Sequence, residues 1–427
     1  MSTGSALLTD RYELTMVAAA LADGTADRES SFEVFARRLP HGRRFAVLAG
    51  TGRLLEHLPR FRFGDEELDA LREQGLTDAR LLDWLADFAF SGDIEGYAEG
   101  ELFFPGSPVL TVRAPFAEGV LLETLVLSIL NHDSAIASAA ARMVAAACER
   151  PVIEMGSRRT HEQAAVAAAR AAALAGFAAT SNLEAGRRYG IPTAGTSAHA
   201  FTLLHDDEAS AFRAQIATLG VDTTLLVDTY DVDQGIRTAV EVAGPELGAI
   251  RLDSGDLPTL ATHARQLLDE LGATKTRILV TSDLDEYAIA GLMAAPVDGY
   301  GVGTSLVTGS GAPTVGLVYK LVERDGVPVA KRSEGKHSVG GRKTAVRRHD
   351  ASGTATAEVV SSGPVPAQDG DRPLLVDLVR GGQPVSDASP RELLAAARAH
   401  HERARAALPA EAWALSRGES AIETMTE

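Results

Sequence analysis

GAIRLDSGD (248–256), RILVTSDLD (277–285) and VDGYGVGTS (297–305) share one pattern: a short apolar run that ends in polar residues or glycine. Helical patterning at 257–271 and 284–294 separates them. Upstream the pattern recurs in PVIEMGSRR (151–159), GFAATSN (176–182), IPTAGTSAH (191–199) and TTLLVDTYD (223–231), and downstream in VGLVYKLV (315–322). Strands alternating with helices predict an α/β fold with a parallel sheet covered by helices. Eight such strands with polar C-terminal ends fit a (β/α) barrel whose site lies at that end. An open doubly wound sheet is the alternative that periodicity leaves standing.

The flanks read differently. TDRYELTMVAAALADG (9–24) has the polar start, helical spacing and closing glycine of a capped helix. SSFEVFARRL (30–39) and ELFFPGSPVLTVRAPF (101–116) read as strands, 65–90 as helical, and a leucine-rich helix is expected at 118–130. Two alanine-rich helices, 134–148 and 161–175, lead into the barrel pattern. After 322 the chain turns basic and glycine-rich (KRSEGKHSVGGRK, 331–343) and closes with an amphipathic helix at 390–407 and a mobile tail. The expected divisions are 1–130, 131–325 and 326–427.

Composition narrows the function. The 427 residues carry 41 Lys+Arg against 58 Asp+Glu, a net charge of −17, which disfavours broad nucleic-acid or anionic-membrane binding. It leaves room for a small anion in a local basic pocket. A hydrophobic share of 45% with 23% charged residues is that of a globular chain. One cysteine, Cys148, excludes an intrachain disulfide and suits a reducing, cytoplasmic setting. No signal peptide and no unbroken apolar run of membrane-spanning length is read.

The strand ends carry the chemistry. GYGVGTS (299–305) is either a phosphate cradle or a tight strand-to-helix turn. RLDSGD (251–256) concentrates Arg251, Asp253 and Asp256; arginine forks suit carboxylates and aspartates accept from sugar hydroxyls. Asp256 is equally placed to cap the next helix. GSRRTHEQ (156–163) sets Arg158 and Arg159 together, and Thr160 with Gln163 fits a capping box. LLVDTYD (225–231), with Asp228, lacks the phosphate cradle that should follow the acidic loop of a type I phosphoribosyltransferase. No metal-ligand spacing involves the 11 histidines, and neither a Walker loop nor a hydrolase elbow occurs.

Taken in order, TDRYELTM (9–16), FEVFARRLP (32–40), EMGSRRTHEQA (154–164), TSNLEAGRRYGIPTAGTSAHAF (180–201), VDTYDV (227–232), RLDSGDL (251–257), VTSDLDEY (280–287), GYGVGTSLVT (299–308) and KRSEGKHSVGGRK (331–343) resemble the nicotinate phosphoribosyltransferase family. The resemblance covers about 9 to 345. It implies the type II phosphoribosyltransferase fold: an irregular barrel-like domain with an N-terminal α/β open sandwich, in a homodimer with shared active sites. It also implies the reaction nicotinate + phosphoribosyl pyrophosphate → nicotinate mononucleotide + pyrophosphate, coupled to ATP, in NAD salvage. Mg²⁺ on the pyrophosphate is the expected helper, with no protein metal site.

Family likeness further implies residue roles. His199 is the histidine that ATP phosphorylates. Arg251, with Arg158 or Arg159, grips the nicotinate carboxylate and phosphate oxygens, and Asp253 accepts ribose hydroxyls. Tyr12 stacks on the pyridine ring of the partner subunit's site. Ser282, Asp283, Gly303 and Thr304 hold ribose and 5′-phosphate, and Thr196, Ser197, Asp228 and Asp256 complete the substrate set. A neutral Ser197, where nicotinamide-using relatives carry an aspartate, favours the acid over the amide. A nicotinamide- or quinolinate-using relative, or a silent ligand-binding homologue, stands as the alternative. A barrel aldolase would need a Schiff-base lysine, for which Lys320 is the one candidate. The 331–343 segment, lacking a proline that relatives often carry, is either solvated surface or a cationic flap.

Overall fold

The computed structural model describes residues 5–331, 339–366 and 368–427. The chain divides into two compact units, 1–138 with 312–427, and 139–311. The expected third division at 326–427 is not separate, because its strands complete a sheet begun near the N-terminus. That sheet is seven-stranded and antiparallel, in the order 327–328, 317–324, 29–36, 110–115, 93–97, 375–380 and 383–384. A four-stranded sheet follows from 344–349, 355–361, 372–373 and 423–426. The tail expected to be mobile therefore ends in a strand, Glu423–Thr426, parallel to Ala355–Ser361.

Strand Glu29–Ala36 is an interior strand of the long sheet and is buried along all but its first residue. Its one interior acid, Glu33, meets Lys343 Nζ at 2.8 and 3.0 Å, and both side chains are buried. The same ammonium donates to the carbonyls of Val339 and Gly341. Arg342 forms a two-bond fork with Glu95, each bond 2.7 Å. The last two residues of the basic segment are thus tied to the sheet, Lys343 buried within it and Arg342 exposed at its surface beside Glu95. Positions 332–338 of that segment lie outside the described residues.

The predicted helix at 118–130 and the first alanine-rich helix run on as one, Glu123–Ala147, and the division between units falls within it. By length and composition the helical stretch Phe116–Ala147 could cross a membrane, yet 67% of its most apolar window is buried, as in a core helix. Helix Arg11–Asp23 ends at Gly24 with φ 79°, the left-handed closure expected from its sequence.

Helix Pro390–Ala406 opens with a Ser389–Glu392 capping box and packs so closely on Gly100 that a Cβ there would stand 2.3 Å from the Ala397 carbonyl. Beside it His401, 2% exposed, bonds through Nδ1 to Gly100 O at 3.0 Å, while its Nε2 is buried without a partner. Burial pushes this imidazole down to about 4, against the Gly100 bond, which favours the proton. Between the ordinary 6.5 and about 4 the unfolded chain takes up a proton that the folded one refuses. The stability at stake, about 3 kcal/mol, is complete above pH 6.5 and is lost as pH falls toward 4. Melting curves should therefore fall more steeply across this window for the parent than for His401→Gln. Equal slopes would refute the assignment.

The second unit is a six-stranded parallel sheet in the order 179–180, 152–154, 299–302, 277–280, 249–252, 224–226. Read as a ring, this is chain order with one open seam, so the sheet curls into a half-barrel. Helices Glu162–Leu174, Leu183–Tyr189, Val232–Ala243 and Leu257–Glu270 connect successive strands. Two predicted staves differ. IPTAGTSAH contributes a single bridge, Thr193 to Thr180, since Pro192 and Gly195 cannot sustain a ladder. VGLVYKLV belongs to the antiparallel sheet of the first unit, paired with Glu29–Ala36. Buried Leu317 and Tyr319 alternate with half-buried Val318 and Lys320, as in a strand with unlike faces, whereas Gly299–Val302 is buried throughout. Lys320 accordingly belongs to an antiparallel strand of the first unit, 3.7 Å from Glu123, and to no barrel strand, so the aldolase reading falls.

Candidate active site

Parallel strands put their C-terminal ends on one side, so the loops that follow them converge. A cleft of about 290 Å³ lies there, lined by Met155, Arg158, Arg159, Arg251, Asp253, Thr281, Ser282, Asp283, Gly301, Gly303 and Thr304. Eight of these were singled out in the sequence; Met155, Thr281 and Gly301 were not. A larger hollow of about 500 Å³ lies in the first unit, lined by Asp27, Glu29, Asp93 and Glu323 with Arg113 as its one lining cation. Arg113 is spent on Asp93 at 2.6 Å. That hollow is the wrong sign for an anion, and the smaller, arginine-lined cleft is the better candidate.

Three arginines dominate the cleft. Arg251 stands in strand Ala249–Leu252, held between Leu226 and Leu279 of its neighbours, and its Nε is buried without a hydrogen-bond partner. Arg158 and Arg159 are exposed on the turn after strand Val152–Glu154, which the Arg159 N–H closes onto Gly156 O at 2.8 Å. Gly156 is required there: a Cβ would come 2.2 Å from Val307 Cγ1. Beneath the turn, buried Glu154 accepts from the Gly156 N–H and the Thr180 hydroxyl. Burial raises this carboxyl, and those two hydrogen bonds act against the rise. The helix that follows is capped by His161, whose ring accepts from Gln163 N–H at 3.3 Å; the predicted Thr160 capping box does not form.

The acidic side of the cleft is a linked chain. Asp228 Oδ2 accepts the Asp253 N–H at 2.8 Å and the Ser254 hydroxyl at 3.1 Å. Asp253 in turn accepts from the Thr281 hydroxyl. His199 opens helix His199–Leu204, with Nδ1 3.1 Å from Thr229 Oγ1 and Nε2 3.9 Å from Asp253 Oδ2. At 41% side-chain exposure its ring is open to a ligand. Ser282 adopts φ 130°, a conformation natural to glycine, and turns the chain so that Ser282 and Asp283 both face the cleft. Gly301 keeps the floor thin, since a Cβ would meet Thr281 Cγ2 at 2.6 Å.

Other predicted residues stand apart from the lining. Thr196 and Ser197 lie on the segment between the Thr193 bridge and helix His199–Leu204. Asp256 sits at the N-cap of helix Leu257–Glu270, but its carboxylate takes the Thr259 hydroxyl at 2.9 Å instead of a backbone N–H. Tyr12 belongs to the first unit, 47% exposed. Burial and the neighbouring Glu123 carboxylate raise its phenol, which stays protonated. Among the described residues no three His, Cys, Asp or Glu side chains converge to hold a metal ion.

Known proteins share this architecture and sequence. Residues 7–131 match the model of the nicotinate phosphoribosyltransferase (NAPRTase) N-terminal domain. A nicotinate phosphoribosyltransferase of Mycobacterium tuberculosis is 62% identical over 98% of this chain and 95% of its own length. One from Bacillus subtilis is 40% identical over 75% of this chain and 67% of its own. Human nicotinic acid phosphoribosyltransferase superposes with a TM-score of 0.85 at 25% identity, covering 98% of this chain and 97% of that one. The strand-end arginines, the His199–Asp253 pair and the half-barrel that presents them thus occur in a chain that belongs to the nicotinate phosphoribosyltransferase family.

Proposed function

We propose that the chain converts nicotinate and phosphoribosyl pyrophosphate to nicotinate mononucleotide and pyrophosphate, coupled to ATP hydrolysis through phosphorylation of His199. The observation that carries the reading is the cleft itself: Arg158, Arg159 and Arg251 face Asp253, Ser282 and Asp283 across about 290 Å³. The pyridine nitrogen of nicotinate owns a lone pair, so no general base is needed. That pair forms the bond to the ribose C1′ while the C1′–O bond breaks and its electrons leave with pyrophosphate. The work of the protein is to hold two anions together and to meet the charge on the leaving group. Arg251 and the Arg158–Arg159 turn supply the positive field, and Asp253 orients the ribose through its hydroxyls. Ser282, Asp283, Gly303 and Thr304 enclose ribose and 5′-phosphate, while Thr196, Ser197, Asp228 and Asp256 border the approach. Mg²⁺ enters with the pyrophosphate substrate. The acting form is a cytoplasmic homodimer in which Tyr12 reaches the partner's pyridine site.

The test is an incubation with nicotinate, phosphoribosyl pyrophosphate and Mg²⁺, with and without ATP. Nicotinate mononucleotide should form, faster with ATP, and nicotinamide should be a poor substitute. His199→Ala should keep a slow ATP-independent reaction but lose phosphoenzyme and ATP hydrolysis. Undiminished ATP hydrolysis in that variant would remove His199 from its role, and equal kcat/KM for nicotinamide would overturn the substrate assignment.

A further inference from the structure

Glu286 lies outside the cleft lining, yet its carboxylate touches the far ends of two turns that form it. It is 3% exposed and follows Asp285, whose Oδ1 caps helix Glu286–Gly291 by accepting the Tyr287 and Ala288 N–H groups at 2.9 and 2.8 Å. Just upstream the Leu284 N–H closes onto Ser282 O at 2.8 Å, so only a short, hydrogen-bonded path separates Glu286 from Ser282 and Asp283. One carboxylate oxygen, Oε2, accepts the Ser310 hydroxyl at 2.7 Å. Ser310 closes the segment that begins at Gly303 and Thr304, its N–H returning to Ser305 O at 2.7 Å. The other oxygen accepts from Arg142 Nε at 3.0 Å, on the buried face of helix Glu123–Ala147. The Arg142 guanidinium also reaches the Tyr287 hydroxyl at 3.3 Å. All four residues belong to the second unit.

Stability alone does not account for this cluster. A buried ion pair gains little over a well-packed apolar pair, so what Arg142 and Glu286 add is a fixed orientation of the carboxylate. Ser310 stands at φ 51°, between Gly309 at 63° and Gly311 at 79°. A third glycine would adopt that backbone without strain, so the serine is there for the hydroxyl it brings to Glu286. The strands that carry the two turns, Arg277–Val280 and Gly299–Val302, pair only at Leu279–Gly299 and Val280–Tyr300. Their shared ladder thus stops short of Ser282, Asp283, Gly303 and Thr304. We propose that Glu286 is a positioning residue: held by Arg142, its carboxylate ties the Ser282–Asp283 turn to the Gly303–Thr304 turn where the ladder has ended, and so sets the spacing of the groups that receive ribose and 5′-phosphate.

The proposal rests on the phosphoribosyl-transfer reading above, so its experiment has two arms on the full chain. In the first, steady-state kinetics and melting temperatures compare the parent with Ser310→Gly and Ser310→Ala. Both variants lose the hydroxyl, but glycine relieves the backbone and alanine does not, so Ser310→Gly should melt above Ser310→Ala. The kinetic loss should follow the hydroxyl instead. In both variants KM for phosphoribosyl pyrophosphate should rise about tenfold, and KM for nicotinate, gripped by the arginines, should change less than about twofold. A parent-like KM for phosphoribosyl pyrophosphate in Ser310→Gly, or equal rises in both KM values, would overturn the proposal. In the second arm, hydrogen exchange is read without substrate at the backbone amides of 282–288 and 305–310. Ser310→Gly should speed exchange about tenfold in both segments, because each steadies the other. Acceleration confined to 305–310 would show that no tie crosses to the Ser282–Asp283 turn, and the proposal would fall. If the parent makes no nicotinate mononucleotide, the functional reading fails, and the exchange arm alone decides whether Glu286 joins the turns.

Discussion

Arg347→Ala should lower the unfolding free energy by about 3–5 kcal/mol, among the largest losses a single substitution in this chain can cause. The guanidinium is 1% exposed, in strand Thr344–His349. It donates to Glu358 Oε2 at 2.7 Å and to Leu102 O at 2.8 Å, stands 3.5 Å from Glu101 Oε1, and lies over the Phe104 ring at 5.1 Å. Glu101 has three further partners, Arg372 and His400, each at 2.8 Å, and the Leu102 N–H at 3.0 Å. Burial opposes its charge, yet the His400 bond and the two guanidiniums hold its carboxyl far below the usual carboxylate range. Glu358 is less well provided. Its remaining partners are neutral, the Tyr97 hydroxyl at 2.8 Å and the Ser107 hydroxyl. Removing Arg347 therefore leaves a fully buried carboxylate without a cation. The double variant Arg347→Met, Glu358→Gln removes both charges and should recover part of the loss. Denaturant unfolding of the parent, both single variants and the double variant measures the coupling. A loss below about 1 kcal/mol for Arg347→Ala would show that the network contributes little.

Such a network marks the limit of what local sequence reveals. Arg347, Glu101 and Glu358 are three among 41 basic and 58 acidic residues, and nothing near any of them announces burial. Arg347 and Glu358 meet as cross-strand partners in the four-stranded sheet, and Glu101 joins them from 246 residues away along the chain. The parallel sheet was legible for the opposite reason. Each of its strands is a short apolar run buried on both sides, and each carries its functional polar residues at its own C-terminal end. The misplaced stave, VGLVYKLV, shows the signal that was there to use: Lys320 interrupts its apolar run, which a fully buried strand does not tolerate. Within the site, strand-end position marked Arg158, Arg159, Arg251 and Asp253 directly. Glu154 escaped notice because its place beneath the Arg158–Arg159 turn arises from burial and from a neighbour on another element.

Arg251→Met should reduce kcat/KM for nicotinate mononucleotide formation by about 10²–10³-fold while leaving the fold intact. Methionine matches the length of the arginine stem and keeps the strand Ala249–Leu252 packed, so the change falls on charge. The guanidinium is placed for a ligand: its Nε is buried without a partner, and it shares the cleft with Arg158, Arg159 and Asp253. In water-poor surroundings an aligned cation meets the charge of departing pyrophosphate without first having to reorganise, which is why removing one such group costs about 3–4 kcal/mol of transition-state stabilisation. Arg251→Lys separates charge from geometry. It keeps the positive charge but gives up the planar fork that engages two oxygens at once, and should recover no more than about tenfold of the loss. Arg158 and Arg159 are exposed and adjacent, so each can cover in part for the other, and their single alanine variants should lose less than Arg251→Met. Steady-state kinetics with nicotinate and phosphoribosyl pyrophosphate varied in turn will show where the loss falls. If Arg251→Met raises KM for nicotinate with kcat unchanged, the residue only binds the carboxylate. A fall in kcat places its charge on the leaving group.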